Sequence, residues 1–334
     1  MKLKPFLILA ALALVLAGAI GFDGRAARAH ESGPVAGEVP GETLGTTSDA
    51  DFWRAIRQGE AATVSIPDRQ AAVLIQSEGE TWRNLRNGPI SLFGGWLLLG
   101  IVIVIGVYFA VRGRIRIDGG RSGRTVQRFT QWQRISHWFA AALFVLLGST
   151  GLVMLFGRYA LKPVLGAEAF AAVASAALQA HNLFGPMFII AVVWLFVFFL
   201  KGNFFSRVDI GWIVRLGGFF GGHASSGFYN FAEKNWFWMA VTLGALLSAS
   251  GIVLDFPTLL EDRQAQQLAH LGHAVAAIVF IAVGLGHIYL GAIGVEGALE
   301  AMTRGDVDVN WAKSHHDLWY EDVVAKDAAK AGGE

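Results

Sequence analysis

Cysteine is absent from this chain of 334 residues. Disulfides, iron–sulfur clusters with thiolate ligands and covalently attached c-type haem all need cysteine, so the sequence excludes each of them. Any redox cofactor must therefore be held by other side chains.

Charged residues are also scarce, at 16% of the chain, whereas hydrophobic residues make up 54% and the mean hydropathy is +0.48. This balance predicts an integral membrane protein rather than a pair of soluble domains. The net charge is only +1, and no basic face interleaved with aromatic residues is apparent. A nucleic-acid partner is therefore not expected, whereas membrane lipid is.

The first 29 residues have the pattern of a secretory signal peptide. Lys2 and Lys4 precede an apolar run that ends near Phe22, and Ala27 and Ala29 form a small-x-small cleavage site. The alternative is an uncleaved anchor, because the run is close to the lower length limit for a span. Residues 30–87 follow as an extracytoplasmic segment that begins with a polar tail rich in Gly, Pro, Glu and Thr.

Five apolar stretches then have the length of membrane spans. They cover residues 88–111, 137–156, 184–200, 235–256 and 268–294. Segments 112–134, 201–234 and 295–334 carry 7, 4 and 4 Lys and Arg residues, against 2 and 1 in segments 158–180 and 257–267. The positive-inside rule therefore places the basic linker 112–136 and the amphipathic, fraying tail 295–334 in the cytoplasm and the mature N-terminus outside.

Histidines within the last span carry the strongest functional signal. His273 and His287 are 14 residues apart, which puts both side chains on one helix face and about 21 Å apart along the axis. One histidine therefore lies toward each membrane surface. His270 is rotated by about 100° from His287 and is the poorer partner.

The predicted topology supplies one further histidine at each depth. His137 enters the second span from the cytoplasmic side, and His181 opens the third span from the outside. We therefore expect two non-covalent, bis-histidine haems b, an inner one on His137 and His287 and an outer one on His181 and His273. The alternatives are histidines that only pack or form hydrogen bonds, a zinc site without its further ligands, and a proton relay without buried carboxylates.

Several motifs in a fixed order resemble the gamma subunit, the membrane cytochrome b, of respiratory formate dehydrogenase. The resemblance covers about residues 128–322 and rests on RISHW (134–138), QAHNLFG (179–185), YN (229–230), HIY (287–289) and WAKSHH (311–316). WR (82–83) and RIDGG (116–120) are similar to an extended form of that subunit. The resemblance implies an all-α fold, in which four helices (137–294) bind two haems b beside an extra N-terminal transmembrane helix (88–111).

The same resemblance implies the role of the chain and its partners. An iron–sulfur (beta) subunit outside a bacterial inner membrane would pass electrons from a molybdenum- or tungsten-containing (alpha) subunit through the haems to quinone near the cytoplasmic face. Formate oxidation would occur in that separate subunit, so this chain would be an electron-transfer subunit. The quinone pocket would involve His287 and the segment containing Asn230, Ala232 and Glu233. Of that segment only the asparagine matches the family pattern, which is Asn-x-Gly-Gln.

Other interpretations of these residues remain open. Asn230 can be a helix cap, and Glu233 with Lys234 can be a solvated helix start. His223, His315 and His316 are expected on the surface. The alternative functions are the cytochrome b of a nickel–iron hydrogenase or a thiosulfate reductase, and a non-redox anchor or transporter.

Overall fold

The structure is a computed structural model that describes residues 54, 57, 58, 77–218, 223–260 and 262–331. The predicted signal peptide and most of the extracytoplasmic segment lie outside these residues. Helices α1 (Ser77–Leu85) and α2 (Ser91–Arg112) are joined by a π-helical turn, Arg86–Ile90, which contains Pro89. The short strand β1 (Thr125–Gln127) then precedes the main bundle.

Four further long helices form the bundle. They are α3 (Gln131–Ala160), α5 (Ala167–Phe199), α7 (Phe231–Asp255) and α8 (Arg263–Tyr289), and short helices α4 (Lys162–Leu165) and α6 (Arg207–Val214) lie between them. Together with the helix over residues 81–112, five helices in the described part of the chain are long and apolar enough to cross a membrane. The predicted all-α transmembrane fold with five spans is confirmed.

The third span is much longer than the sequence predicted. Helix α5 begins at Ala167, whereas the predicted span begins at residue 184. The added turns are rich in alanine, which has the highest helix propensity but too little hydrophobicity to mark a span. His181 therefore lies in the middle of a helix rather than at its beginning.

Aromatic and small residues form an apolar layer at mid-height of the bundle. Phe144 of α3 meets Phe280 of α8 with ring centroids 4.9 Å apart, and Ala191 of α5 is completely buried nearby. A Cβ on Gly284 would lie 2.6 Å from Cζ of Phe144, so only glycine allows this approach. Helix α2 packs outside on α8, where Leu98 and Ile278 share an apolar cluster.

A folded cap covers one end of the bundle. Backbone hydrogen bonds join Ile115 to Gly294 and Glu296, and β1 pairs antiparallel with β2 (Asp306–Asp308). Helices α9 (Ala298–Thr303), α10 (Val309–His315) and α11 (Asp317–Ala331) complete the cap. Trp311 and Trp319 are buried in its core. The expectation of a fraying tail is wrong for residues 295–323, because this segment packs around the two tryptophans as far as Val323.

Candidate functional site

Two pairs of histidines face each other across the bundle. The rings of His137 (α3) and His287 (α8) have centroids 6.1 Å apart, and the rings of His181 (α5) and His273 (α8) are also 6.1 Å apart. We call these the His137–His287 layer and the His181–His273 layer. Their separation along α8 is 14 residues, or about 21 Å.

This spacing fits one metal ion between each pair of rings. Metal–imidazole bonds are about 2 Å long, and a ring centroid lies about 1 Å behind its nitrogen, so two axial imidazoles have centroids about 6 Å apart. Among the described residues no group of three or more His, Asp or Glu side chains could hold a metal ion. A pair of imidazoles with no further protein ligand suits haem, in which the macrocycle supplies the other four ligands.

Hydroxyl groups set the orientation of both rings in the His181–His273 layer. Thr150 Oγ1 donates to the Leu146 carbonyl at 2.9 Å and lies 2.9 Å from Nδ1 of His181. Because the single hydroxyl proton goes to the backbone, the hydroxyl oxygen accepts from Nδ1–H. The Nε2 lone pair of His181 is then left for a metal.

Ser250 repeats this arrangement on the opposite side of the layer. Its hydroxyl donates to the Leu246 carbonyl at 2.7 Å and lies 2.9 Å from Nδ1 of His273. A glycine follows each hydroxyl residue. A Cβ on Gly151 would lie 3.6 Å from the His181 ring, and one on Gly251 would lie 3.4 Å from the His273 ring. The helix pairs α3–α5 and α7–α8 thus have the same design. In each pair, one helix supplies the histidine, and the other supplies the hydroxyl acceptor and a glycine that contacts the imidazole ring.

The His137–His287 layer is built from different side chains. Trp236 of α7 stacks on His287 with ring centroids 4.5 Å apart and ring planes 15° apart. Nδ1 of His137 is buried without a hydrogen-bond partner in the described part of the chain. The two layers therefore offer the same ligands in different surroundings.

Comparisons with known proteins agree with this geometry. The family described as prokaryotic cytochrome b561 matches residues 128–305, which is more than half of the chain and includes the whole four-helix bundle. This chain belongs to the prokaryotic cytochrome b561 family. Membership implies haem b as the cofactor, and the histidine pairs fit that group.

Several proteins similar to this cytochrome b561 family member are named as subunits of formate dehydrogenase. The chain is 30% identical over 212 residues to the formate dehydrogenase cytochrome b556(fdo) subunit of Escherichia coli (strain K12), covering 62% of this chain and 97% of that subunit. It is 29% identical over 201 residues to the formate dehydrogenase cytochrome b556 subunit of Haemophilus influenzae, covering 58% and 82%. The resemblance found in the sequence is thus confirmed.

His270 stands apart from both layers. Its ring meets Trp82 of α1 edge to face, with centroids 5.3 Å apart, rather than facing another histidine. His273 is accordingly the residue that the structure places opposite His181, as the helical geometry predicted.

The segment predicted to border a quinone forms the start of α7. Asn230 caps the helix, because its side chain accepts from the Glu233 amide at 2.9 Å while the Glu233 carboxylate accepts from the Asn230 amide at 3.0 Å. Arg128, whose side chain is 3% exposed, also binds Glu233 at 3.0 Å. The interpretation of Asn230 as a cap is confirmed.

The alternative of a solvated helix start does not hold for Lys234, and the partly exposed Glu233 side chain is bound in an ion pair. Lys234 is buried and pairs with Asp209 of α6 at 2.9 Å, and Glu233 is paired with Arg128. Charged side chains that are paired and hydrogen-bonded in this way tolerate burial. The local sequence could not show the pairing, because the partners lie in distant segments of the chain.

The other histidines within the described residues are one exposed residue and two enclosed ones. His223 is on the surface, as predicted, and lies 2.8 Å from the Asp317 carboxylate. His316 is only 1% exposed, so its predicted surface position is wrong. His315 stacks on Trp311 with centroids 5.0 Å apart and is partly buried. Burial, followed by the charge of Arg128, lowers the pKa of His316 to about 3.

Thr150 and Ser250 are the site residues that sequence reasoning missed. Two signals could have found them, since each hydroxyl residue precedes a glycine and Thr150 follows His137 by 13 residues on the same helix. That spacing corresponds to about 20 Å along the helix, which is close to the separation of the two histidine layers.

Proposed function

We propose that this chain is the membrane cytochrome b subunit of a formate dehydrogenase, carrying electrons from a periplasmic iron–sulfur subunit through two haems b to quinone near the cytoplasmic face. The observation that carries the proposal is the pair of histidine layers, each with 6.1 Å between ring centroids. The names of the relatives favour a formate dehydrogenase as the complex.

His137 with His287, and His181 with His273, would hold the two haems through their imidazole rings. When bound, haem b supplies one-electron oxidation and reduction. The chain's own contribution is to orient the ligands, through Thr150 and Ser250 in one layer and through Trp236 in the other, and to separate the layers with apolar residues. Different surroundings around identical ligands are how a protein assigns different potentials to two haems.

The proposed orientation places the His137–His287 layer and the cap toward the cytoplasm. The linker that follows α2 and the tail that follows α8 meet in the cap, so they lie at one end of the bundle. These segments and segment 201–234 carry 15 Lys and Arg residues, against three in the two loops predicted outside. Such a bias is the usual mark of the cytoplasmic side of an inner-membrane protein.

The proposed quinone pocket lies beside His287 at the start of α7. Asn230, Ala232 and Glu233 belong to this turn, and stacking of Trp236 on His287 ties the turn to the histidine. Ala232 precedes Trp236 by four residues and so lies on the same helix face. Glu233 is engaged by Arg128, which argues for a positioning role rather than proton delivery.

Difference spectra of the purified complex test the haem assignment. His181→Ala and His273→Ala should remove the same b-type signal, and His137→Ala and His287→Ala the other. His223→Ala should keep both signals, since that residue is on the surface. A wild-type protein without a b-type α-band would refute the haem proposal and leave a non-redox anchor or transporter.

Two further measurements address the partners and the quinone. Co-purification with a molybdenum- or tungsten-containing subunit supports a formate dehydrogenase, and a nickel–iron partner contradicts it. Ala232→Leu should raise the KM for a soluble quinone while both haem spectra persist. Ala245→Leu, on an exposed face of the same helix, should change neither.

A further inference from the structure

Two buried nitrogen atoms close to the His181–His273 layer have no hydrogen-bond partner in the described part of the chain. They are Nε1 of Trp82 and Nδ1 of His270, and their rings are in edge-to-face contact at 5.3 Å. An indole N–H can only donate, and a buried donor without an acceptor is costly. The indole N–H therefore points to a missing acceptor, and Nδ1 of His270, on the adjoining ring, can donate to the same acceptor in the tautomer that carries its proton there.

Arg86 adds a positive charge to the same place. It follows Trp82 by four residues, on the same face of the helical segment, and is partly buried. Its Nη2 reaches the Met154 carbonyl of α3 at 3.5 Å, and Nη1 donates to the Asn87 side chain at 2.8 Å. The missing acceptor therefore lies in a cationic environment, which favours an anion.

Contacts with two different helices locate this cluster relative to the His181–His273 layer. Met154 lies four residues after Thr150 on α3, and His270 lies three residues before His273 on α8. Both neighbours are thus about one helical turn, or 5 Å, beyond the His181–His273 layer, on the side away from the other layer. The cluster therefore lies between the His181–His273 layer and the end of the bundle without the cap.

We propose that Trp82, Arg86 and His270 form a carboxylate-binding subsite for a propionate of the haem held by His181 and His273. The proposal rests on the proposed function, which supplies that haem. The indole N–H and the His270 Nδ1–H donate to the carboxylate, and Arg86 balances its charge. Trp82 and Arg86 precede residue 128, where the family match begins, so the N-terminal extension becomes part of the cofactor site.

The proposal predicts a selective effect on one haem. Arg86→Gln removes a cation beside the outer haem and should lower its midpoint potential, because reduction adds a negative charge that the cation stabilises. Arg86→Lys should restore part of the shift. Trp82→Phe keeps the ring and deletes the N–H, and should speed loss of that haem by about 10-fold.

Redox titration of the purified complex provides the readout, with Arg83→Gln as the control because Arg83 lies on the exposed face of α1. The proposal is overturned if Arg86→Gln and Trp82→Phe leave the potential and retention of the outer haem unchanged, or if both haems shift equally. A protein in which His181→Ala removes no haem signal would instead show that the proposed function fails.

Hydrogen exchange on the wild-type protein gives a test that needs no variant. Removing haem from the complex should expose the amides of residues 81–90, because the carboxylate that anchors them is gone. The amides of residues 94–102, which pack on α8 through Leu98, serve as the internal control and should stay protected. Equal protection of residues 81–90 with and without haem would overturn the proposal.

Discussion

Thr150 accepts a hydrogen bond from His181 while donating its own hydroxyl proton to the backbone of the same helix. This arrangement fixes which imidazole nitrogen carries the proton, and it leaves the other nitrogen without one, in a ring whose centroid is 6.1 Å from that of His273. A residue that contacts no ligand atom thus prepares the ligand before the cofactor binds.

Loss of this hydroxyl should weaken the His181–His273 haem selectively. We expect Thr150→Val to reduce retention of that haem about 10- to 100-fold and to shift its potential, while Thr150→Ser retains both. Haem content and redox-titrated spectra are the measurements. Thr242→Val is a matched control, since the Thr242 hydroxyl makes the same backbone contact, to the Trp238 carbonyl, on an exposed surface. Equal haem loss in both valine variants would contradict the assignment.

Substitution of Gly284 should destabilise the bundle because this glycine packs against Phe144. Alanine at this position would bring Cβ within 2.6 Å of the Phe144 ring, whose own position is fixed by Phe280. We expect Gly284→Ala to lower the free energy of unfolding by about 1–3 kcal/mol. Thermal denaturation followed by haem absorbance measures the loss.

The matched control for that change lies two residues away. A Cβ on Gly286 meets nothing within 4 Å, so Gly286→Ala should be neutral or slightly stabilising in the helix. Phe144→Leu should rescue Gly284→Ala if the clash is the cause. Lack of rescue would assign the defect to something other than this contact.

Arg128 should be essential for docking of the cap. Its guanidinium binds Glu233 at 3.0 Å and the Phe228 carbonyl at 2.9 Å, and it lies 4.9 Å from the Trp311 ring. Arg128→Ala should weaken docking of the cap by about 3 kcal/mol. This is the lower end of the range for a broken buried ion pair, because the Glu233 side chain is 35% exposed. Limited proteolysis of the tail reports the loss.

An exposed ion pair in the cap provides the comparison. Arg121 binds Glu300 at 2.7 Å, but its side chain is 46% exposed. Arg121→Ala should therefore change docking by less than about 1 kcal/mol. If both variants release the tail equally, burial of Arg128 is not what holds it.

Acid should loosen the cap through His316. Burial lowers the pKa of His316 to about 3, below its ordinary value of 6.5. The unfolded form therefore binds more protons between these values, so stability is complete above pH 6.5 and falls as pH drops toward 3. Hydrogen exchange in α10 and α11, corrected for intrinsic rates, should rise across this window.

A variant separates His316 from the carboxylates. His316→Asn keeps a donor for the Gly227 carbonyl, which the Nδ1–H of His316 reaches at 2.9 Å, and cannot titrate. Burial opposes ionisation of Asp317, but hydrogen bonds from His223 and the Ser226 amide outweigh this effect and lower the pKa of Asp317 to about 2. The stability that the Asp317 carboxylate contributes is therefore lost at a lower pH than the contribution of His316. An unchanged pH response in His316→Asn would contradict the prediction.

Most of the fold and the core of the candidate site could be predicted from the chain alone. Membrane spans follow from runs of apolar residues, and the facing of His273 and His287 follows from the 3.6-residue period of one helix. Partners for these histidines could be inferred because membrane topology orders residues by depth, and the structure does bring His137 to His287 and His181 to His273.

The tertiary structure decided the contacts between side chains on different helices, which the periodicity of a single helix does not predict. Thr150 and Ser250 meet the histidines because two helices pack at one register, and Gly284 accommodates Phe144 for the same reason. Burial of Arg128 and His316 depends on a tail that returns to the linker, 179 residues earlier in the chain, where the Ile117 amide donates to the Glu296 carboxylate. The sequence by itself determined the helices, their order and the ligand-bearing faces, because those depend on local hydrophobicity and helical geometry. The surroundings of each ligand depend on packing between distant segments, which only the folded chain defines.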